Sequence, residues 1–563
     1  MQRFRRVSVM LGGLSILLAG LGAHGASRSD AKEHERVAQA LKQIKTVLAD
    51  SDAVPGIAVG ISNRERLLGT VLHGYADLKA RKPVTAETKF AIGSISKSFT
   101  SVVLMQMADA GKFDPAVPVS RYLPQLRVNS AFPEITGHSL LNHTSGLPNY
   151  LVHLSSMRYA IYALRDFQPT YAPGTHFAYS NTGYQLLGYV TERIDGDAFA
   201  SILERRLLAP LGMRATVPQM DETVRPSLAI SYERSPQDGS FVEANWFPYI
   251  AADGGIASTA GDMDAFARLL LNRGATPNGR IISEAAFQKI ITSTSDDATY
   301  GYGVQVSTAQ GHTVVGHGGA IYAFNSHLEA HIDEGFAVTI LGNARLDGEV
   351  IGKIVGIASK AVGGDGKPGE FRKYERLPVE DVNDTSAYEG TYQTQDGGPI
   401  VFSKAPGGLS VQRADGTRFN LTRVGRDIYS SRQTGAYLFF VDPKQASGSA
   451  QGVSNGAAWY TKHSSAGEQV SATPPEYRAY VGRYRNHADE GPDVRVFVRG
   501  GRLMVAPSGN ATFSEELVAV GPGLFRPAAP EHSPERFQFD TLDDGVTLRL
   551  QATGVPLYRV DMP

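Results

Sequence analysis

The chain has 563 residues, a formal net charge of −1 at pH 7 and no cysteine. Such a length exceeds what one hydrophobic core usually supports, so several domains are expected. The balanced charge excludes electrostatic binding of nucleic acid, and the lack of cysteine excludes disulfides, thiol catalysis and cysteine-linked lipid anchors.

The N-terminus is predicted to be a signal peptide over residues 1–26. Basic residues in the segment Arg3 to Arg6 precede an apolar run from Val7 to Leu21, and small residues continue to Ala26. This order is typical of a secretory leader, and the apolar run is short for a membrane-spanning helix. We expect a periplasmic or secreted protein without stable membrane insertion after cleavage; an uncleaved anchor is the alternative.

The first chemical signal is Ser94-Ile-Ser-Lys97, at the start of a predicted helix that continues from Ser98 to Gly111. Positions i and i+3 share one face of a helix, so Ser94 and Lys97 would point into one pocket. A partly desolvated lysine near a helix N-terminus loses its proton more easily, which would let Lys97 take the proton of Ser94. Alone, the pattern more often marks a capping serine and a solvated lysine.

Two further polar groups follow at loop-like positions. Tyr179-Ser-Asn181 lies in a segment with glycine and proline, ahead of helical periodicity from Tyr184 to Ile194. His317-Gly-Gly319 is predicted to interrupt two strand-like runs, Thr313 to Gly316 and one that begins at Phe324. Glycines inside a strand pattern indicate a close approach by another backbone or a ligand.

Six motifs between Gly56 and Asn343 carry a family resemblance together. They are Phe90-Ala-Ile-Gly-Ser-Ile-Ser-Lys97, Leu140-Leu-Asn-His-Thr-Ser-Gly-Leu-Pro148, Tyr179-Ser-Asn181, Gly254-Gly-Ile-Ala-Ser-Thr-Ala-Gly-Asp262, Gly316-His-Gly-Gly319 and Leu341-Gly-Asn343. Their content and order resemble the penicillin-binding protein and class C β-lactamase group of serine hydrolases, which includes D-aminopeptidases and related esterases. The resemblance implies an α+β catalytic domain over residues 27–363, with an antiparallel sheet flanked by helices and a helical subdomain.

The resemblance also implies catalytic roles. Ser94 would attack the substrate carbonyl, Lys97 would activate Ser94, and Tyr179 would relay protons to the leaving group and in deacylation. Because tyrosine titrates near pH 10, this role requires cationic neighbours that lower its pKa, with Lys97 the obvious candidate. Asn181 would hold a substrate carbonyl and orient Lys97. Outside this set, Tyr179 and Asn181 would more often be a half-buried aromatic and a turn residue.

The oxyanion hole implied by the resemblance consists of the backbone N–H groups of Ser94 and Ala320, with Gly319 beside them. His317 would line the substrate site where the commonest family pattern has the lysine of Lys-Thr-Gly. A histidine is mostly neutral at pH 7, so carboxylate recognition should be weaker than with lysine. This form resembles D-aminopeptidases and some esterases more than efficient β-lactamases. His143 also matches a family position and is predicted to shape its loop.

Two other patterns are predicted to carry no chemistry. Gly452-Val-Ser-Asn-Gly456 matches the nucleophile elbow of α/β-hydrolases, but a loop rich in serine, glycine and alanine precedes it instead of a strand. His327-Leu-Glu-Ala-His331 contains metal-ligand residue types, but the run from Asn325 to Ile340 alternates like a strand, and the comparable zinc motif requires a helix. No metal site and no cofactor are predicted.

The last third of the chain is predicted to contain two small antiparallel β-barrel domains, at residues 385–463 and 476–563, after linkers at 364–384 and 464–475. The prediction depends on an internal repeat in which Tyr388-Glu-Gly-Thr-Tyr392 corresponds to Tyr480-Val-Gly-Arg-Tyr484. A catalytic domain followed by two barrels resembles D-aminopeptidases, in which a barrel loop limits the active site. Packing or docking modules are the alternative.

The sequence therefore predicts a secreted or periplasmic serine hydrolase that acts through an acyl-enzyme at Ser94. Its expected partners are small peptides, including D-amino-acid peptides, cleaved at amide bonds. An esterase or weak β-lactamase with the same site is the close alternative, so esters and β-lactams are also candidate substrates. A penicillin-binding sensor without turnover is a different class, and an intact Tyr179 argues against it because deacylation needs a base.

Overall fold

The computed structural model describes residues 28–560 with interruptions. The residues within that span that are not described are 50–53, 129, 150–156, 160, 162–163, 165–166, 168, 170, 235–239, 247, 294–298, 308–310, 365, 370–384, 394–398, 407, 426–427, 431–436, 442–449, 451, 455–458, 463–473, 487–492, 500–501, 508–513 and 544. The predicted signal peptide thus lies outside the described residues, as does most of both predicted linkers. In the described ranges, no helix is long and apolar enough to cross a membrane.

The first part of the chain contains thirteen described strands. They are β1 Gly56–Asn63, β2 Leu67–Asp77, β3 Lys82–Pro83, β4 Phe90–Ala91, β5 Tyr232–Arg234, β6 Phe241–Glu243, β7 Ala257–Ser258, β8 Ala275–Thr276, β9 Gly279–Arg280, β10 Gln305–Ser307, β11 Val314–Ile321, β12 Phe324–His331 and β13 Phe336–Gly342. Seven form one antiparallel sheet in the order β10-β11-β12-β13-β1-β2-β3. Because β1 pairs with β13, the N-terminal hairpin and the last strands of this region share one sheet.

Nine α-helices are described in this part of the chain. They are α1 Arg28–Ala49, α2 Ser96–Asp109, α3 Gly137–Leu141, α4 Asn181–Asp195, α5 Phe199–Leu203, α6 Ala209–Leu211, α7 Ala260–Leu271, α8 Glu284–Ile291 and α9 Gly348–Val362. On one face of the sheet, α1 and α9 pack over the side chains of β1 and β13 that include Val59 and Val338. The opposite face packs against a larger core in which Phe99 of α2 stacks on Phe266 of α7, with ring centroids 3.9 Å apart.

The last third of the chain forms two closed antiparallel barrels of eight strands each. The first contains β14 Gly390–Gln393, β15 Ile400–Ala405, β16 Gly408–Gln412, β17 Arg418–Gly425, β18 Ile428–Ser430, β19 Tyr437–Val441, β20 Gly452–Ser454 and β21 Trp459–Lys462. The second contains β22 Gly482–Arg485, β23 Asp493–Arg499, β24 Arg502–Pro507, β25 Glu515–Gly521, β26 Leu524–Pro527, β27 Phe537–Asp543, β28 Val546–Ala552 and β29 Val555–Arg559. The predicted α+β domain followed by two small barrels is confirmed.

The two barrels begin in the same way. Tyr392 is buried in the first barrel, and its hydroxyl donates to Tyr388 O at 2.9 Å. Tyr484 is buried in the second, and its hydroxyl donates to Tyr480 O at 2.8 Å. The repeated sequence therefore forms the same tyrosine contact twice, which satisfies a polar group inside an apolar barrel.

Two predicted elements differ from the structure. His317-Gly-Gly319 does not interrupt a strand, because β11 continues through it to Ile321; glycine keeps the strand regular where a neighbouring backbone approaches closely. The run from Asn325 to Ile340 is two strands, β12 and β13, joined at Asp333 to Gly335. The segment Gly452–Ser454 is itself the strand β20, paired on both sides, so the elbow geometry is absent from it.

Candidate active site

Ser94 lies in a short 3₁₀ turn, Gly93–Ile95, that leads directly into α2. The sequence predicted that the helix starts at Ser94, whereas the α-helix itself starts two residues later, at Ser96. Gly93 has φ of +50°, and a methyl group there would lie 2.6 Å from the backbone nitrogen of Ala320. Only glycine fits this conformation and spacing without strain. The turn therefore holds Ser94, which is partly exposed, against the end of β11.

Lys97 is fully buried one turn later and has three acceptors around its nitrogen. Nζ lies 3.1 Å from Ser94 Oγ, 2.6 Å from Asn181 Oδ1 and 2.8 Å from the backbone oxygen of Asp253. Burial lowers the pKa of Lys97 to about 8, while the Asp253 carboxyl acts in the opposite direction. About a tenth of Lys97 is therefore neutral at pH 7, with a lone pair available to Ser94.

Tyr179 completes a polar triangle with Ser94 and Lys97. Its hydroxyl interacts with the Ser94 side chain, and Lys97 Nζ lies 5.0 Å from the centre of its ring. Burial raises the pKa of Tyr179 well above 10, and the interaction with Ser94 opposes this only in part. The pKa of Tyr179 is therefore raised, not lowered as expected, because desolvation of the phenolate is the largest effect on it. Tyr179 is a neutral phenol across the working pH range.

Asn181 begins α4 and connects Lys97 to the rest of the protein. Its Nδ2 donates to Asn149 Oδ1 at 2.9 Å, so the amide orientation that presents Oδ1 to Lys97 is fixed. Ser180 caps the helix by accepting from the backbone N–H of Gly183. The backbone N–H of Asn149 in turn donates to Glu535 Oε1 at 2.7 Å, from the loop after β26 in the second barrel.

The same barrel loop makes a second contact beside the site. The His532 imidazole stacks on His176, with centroids 4.1 Å apart and an interplanar angle of 11°. Its Nε2 lies 3.3 Å from the backbone oxygen of Phe177, two residues before Tyr179. The second barrel therefore touches both segments that carry Asn149 and Tyr179.

His317 is buried on β11 with both ring nitrogens engaged. Nδ1 lies 2.5 Å from Gly318 O, which can only accept, so Nδ1 carries the proton. Nε2 lies 2.8 Å from the Tyr300 hydroxyl and accepts from it. Burial and the nearby Lys97 lower the pKa of His317 to about 3, so the ring is neutral. A lysine at this position would carry a fixed positive charge, whereas His317 carries no charge.

The end of β11 presents a backbone N–H toward the turn that carries Ser94. Tyr322 and Ala323 form a two-residue hairpin loop, with φ values of 48° and 65° that are typical of a type I′ turn. The flanking pair Ile321 and Phe324 is hydrogen-bonded, so the next pair, which contains Ala320, directs its N–H away from β12. That edge of β11 faces the Gly93 turn, and Ala320 is exposed there.

Gly319 also allows β11 and the Ser94 turn to approach each other closely. A methyl group at Gly319 would collide with the backbone oxygen of Ile92 and with Ser326 Oγ. Ser326 Oγ also donates to that oxygen at 2.8 Å, which fixes the strand β12 against the turn. Gly319 therefore sets the distance between β11 and the Ser94 turn.

His143 lies under the site. It is fully buried, its Nδ1 accepts from the backbone N–H of Ser180 at 3.0 Å, and its ring packs on Tyr179 at 4.2 Å. Burial lowers its pKa well below the ordinary value, so it is neutral. These contacts agree with a loop-shaping residue.

Four residues around the site were missed by the sequence analysis: Asp253, Tyr300, Asn149 and Glu535. Asp253 directly precedes the motif that begins at Gly254, and Asn149 directly follows the motif that ends at Pro148, so position beside a motif was the available signal for both. Tyr300 and Glu535 reach the site through packing between distant segments, for which the sequence carries no periodic pattern.

His327, Glu329 and His331 form a separate cluster on β12. Glu329 is buried and lies 3.0 Å from His327 Nε2 and 2.8 Å from His331 Nε2, and its pKa falls to about 2 despite burial. The segment is a strand, as predicted. Among the residues with described positions, no group of three or more potential ligands has the geometry to hold a metal ion.

The sequence comparisons with known proteins agree with one another on the family. The family model described as Beta-lactamase matches residues 35–357. The D-aminopeptidase of Cereibacter sphaeroides is 28% identical over 305 residues, which are 51% of this chain and 57% of that protein. The D-aminopeptidase of Brucella ovis is 28% identical over 304 residues, 51% of this chain and 56% of that protein. The chain thus spans less than two thirds of the length of the curated relatives it matches.

Solved structures agree in fold. The octameric penicillin-binding protein homologue from Pyrococcus abyssi superposes with a TM-score of 0.50 at 20% identity, covering 84% of this chain and 97% of the other. The crystal structure of SurE superposes with a TM-score of 0.52 at 22% identity, covering 77% of this chain and 100% of the other. At these identities the similarity concerns the fold alone.

Proposed function

Because the chain belongs to the beta-lactamase family of serine hydrolases, we propose that it forms an acyl-enzyme at Ser94 and cleaves amide bonds in small peptides, including D-amino-acid peptides. The observation that carries the proposal is the 3.1 Å contact between Lys97 Nζ and Ser94 Oγ, with the pKa of Lys97 lowered to about 8. A buried amine of this pKa is a competent general base near neutral pH.

Acylation follows from this geometry. The proton of Ser94 Oγ moves to the lone pair of Lys97 Nζ, the Oγ electron pair forms a bond to the substrate carbonyl carbon, and the carbonyl π pair moves to oxygen. The N–H groups of Ser94 and Ala320 would stabilise that oxyanion, each donor contributing about 3 kcal/mol of barrier lowering. Asn181 Oδ1 and Asp253 O keep Lys97 oriented while it changes charge.

The leaving group requires a proton, and we assign the relay of that proton to Tyr179. When the amide C–N bond breaks, its electron pair takes a proton from the Tyr179 hydroxyl, which is replenished from the Lys97 ammonium. The raised pKa of Tyr179 supports a relay role and argues against a stable phenolate base. In deacylation water replaces the leaving amine and the same transfers run in reverse, which restores Ser94 and releases the acid.

The substrate class is inferred from charge and similarity. The neutral His317 leaves the acyl site without a fixed cation, which disfavours substrates held by a free carboxylate. The similarity to D-aminopeptidases favours peptides with D-residues. The same neutrality suits uncharged acyl esters, so esterase activity is the second candidate. The leader-like residues 1–26 support a periplasmic or secreted location.

The test is turnover of a matched substrate panel by the purified mature protein and by Ser94→Ala. The panel contains D- and L-alanyl p-nitroanilides, p-nitrophenyl esters, acyl-D-Ala-D-Ala and a chromogenic cephalosporin. We expect cleavage of D-alanyl anilide that falls at least 10³-fold in Ser94→Ala. Cleavage of esters alone would favour the esterase, stoichiometric labelling without turnover would indicate a sensor, and activity retained by Ser94→Ala would contradict the nucleophile assignment.

A further inference from the structure

Asp253 is a buried acid beside the candidate base. Its side chain is almost inaccessible, and Oδ2 accepts a hydrogen bond from the Tyr249 hydroxyl at 2.8 Å. The Gln185 side chain also interacts with the carboxyl, but no donor in the described structure lies within full hydrogen-bonding distance of Oδ1. Burying a carboxyl that is only partly satisfied is unfavourable, so a purely structural role explains it poorly.

The backbone of the same residue binds Lys97. Asp253 O accepts from Nζ at 2.8 Å, so the turn that carries the carboxyl is fixed to the amine. The carboxyl interacts with Lys97 through charge in both directions: it favours the ammonium, and the ammonium favours the carboxylate. Burial acts against both charges.

The other groups that face Lys97 are neutral. Ser94 and Asn181 do not titrate in this range. Burial raises the pKa of Tyr179 and Tyr184, and it lowers the pKa of His143 and His317. Among these neighbours, Asp253 is the acid whose charge can balance a Lys97 ammonium.

We propose that Asp253 is a positioning residue that serves as the buried counter-charge of Lys97 and sets the pH at which Lys97 becomes a base. The inference rests on the proposed function, because it assigns Asp253 a part in the activation of Ser94. When Ser94 gives its proton to Lys97, an ammonium forms inside the protein, and the Asp253 carboxylate stabilises it. Asp253 itself neither gains nor loses a proton.

Removing the negative charge of Asp253 should shift the pH profile of kcat/KM in a predictable direction. A carboxylate favours the protonated form of its neighbour, so Asp253→Asn should lower the proton affinity of Lys97. The acid limb of kcat/KM, which reports the free enzyme, should then move to lower pH by about one unit. The plateau at high pH should fall about tenfold, because a weaker base activates Ser94 less well.

The experiment measures kcat/KM against pH for the full-length mature wild-type protein, Asp253→Asn and Asp264→Asn, on the best substrate of the panel. Asp264 is a matched control: it is also a buried acid with a raised pKa, but it pairs with Ser62 and Arg268, away from Lys97. We expect Asp264→Asn to change thermal stability without moving the acid limb.

The outcomes separate the two proposals. If wild-type turnover does not depend on Ser94, the proposed function fails before Asp253 is tested. If turnover depends on Ser94 but folded Asp253→Asn keeps the wild-type acid limb, the counter-charge role is overturned. Should Asp253→Asn fail to fold, Tyr249→Phe removes the hydrogen bond that stabilises the carboxylate, and its acid limb should move the same way by a smaller amount. An unmoved limb in Tyr249→Phe would then overturn the proposal.

Discussion

At the scale of single residues, the site depends on burial acting in opposite directions on different groups. Burial lowers the pKa of Lys97, which brings the amine closer to neutrality. It raises the pKa of Tyr179, which therefore stays a protonated phenol. The same burial keeps His317 neutral. Among these three site residues, Lys97 is therefore the one that titrates within the ordinary assay range.

This assignment predicts the pH dependence of the wild-type enzyme. Lys97 is active as the neutral amine, and its pKa is about 8, so kcat/KM should rise about tenfold per pH unit below 8 and level off above it. The pH profile of D-alanyl anilide hydrolysis, with buffer and ionic strength controls, measures this. A limb near pH 6 would instead indicate a histidine, in conflict with the lowered pKa values of His143 and His317.

Sequence reasoning reached some of these residues and not others, for physical reasons. Ser94 and Lys97 are one helical turn apart, so their contact follows from local geometry. The partners of Asn181 and His317 come from distant segments, Asn149 and Tyr300, whose approach depends on packing of the whole domain. The direction of the pKa of Tyr179 was also out of reach, because it is set by burial that a sequence does not display.

At the scale of elements, the meeting of the strand β11 with the Ser94 turn decides the geometry of the site. The sequence predicted that the glycines mark a close approach, and the approach is that of the backbone at Ile92. It did not predict that the strand continues through them, because isolated glycines usually weaken a strand pattern. The regular pairing of β11 with β12 fixes the direction of the Ala320 N–H.

Gly319→Ala tests this close approach. The added methyl group would collide with Ile92 O, so the strand must shift; we expect a loss of about 1 to 3 kcal/mol in stability and of about 100-fold or more in kcat. Thermal unfolding and steady-state kinetics measure the two effects. Gly318→Ala is the matched control, because the nearest neighbour of its methyl group is 4.0 Å away. Equal effects of the two substitutions would refute a specific role of Gly319.

At the scale of the whole molecule, the second barrel is connected to the candidate base by hydrogen bonds. Glu535 accepts from the Asn149 N–H, Asn149 accepts from Asn181, and Asn181 accepts from Lys97. The barrel fold could be predicted from the repeated tyrosines and the turn-rich alternation. Its contact with Asn149 could not, because it joins residues far apart in the chain.

Glu535→Ala should lower kcat/KM about tenfold, because it leaves the partly buried Asn149 N–H without this acceptor, whereas Glu535→Gln retains a carbonyl oxygen and should stay near wild type. Kinetics on a short and a longer D-alanyl peptide measure the effect. Glu531→Ala is the control, since Glu531 lies on the same loop with its side chain 92% exposed. If all three variants have wild-type kinetics, the second barrel plays no part in the catalytic hydrogen-bond network.

The bond between Asn149 and Glu535 also has a consequence for the time course of biosynthesis. A nascent chain that has emerged only as far as β13 contains Ser94, Lys97 and Asn181, but not yet the acceptor for the Asn149 N–H. The hydrogen-bond chain to Lys97 closes when the second barrel has been made and has docked. Full activity should therefore appear late, with the last segment of the polypeptide, and a product shortened at its C-terminus would remain an immature hydrolase.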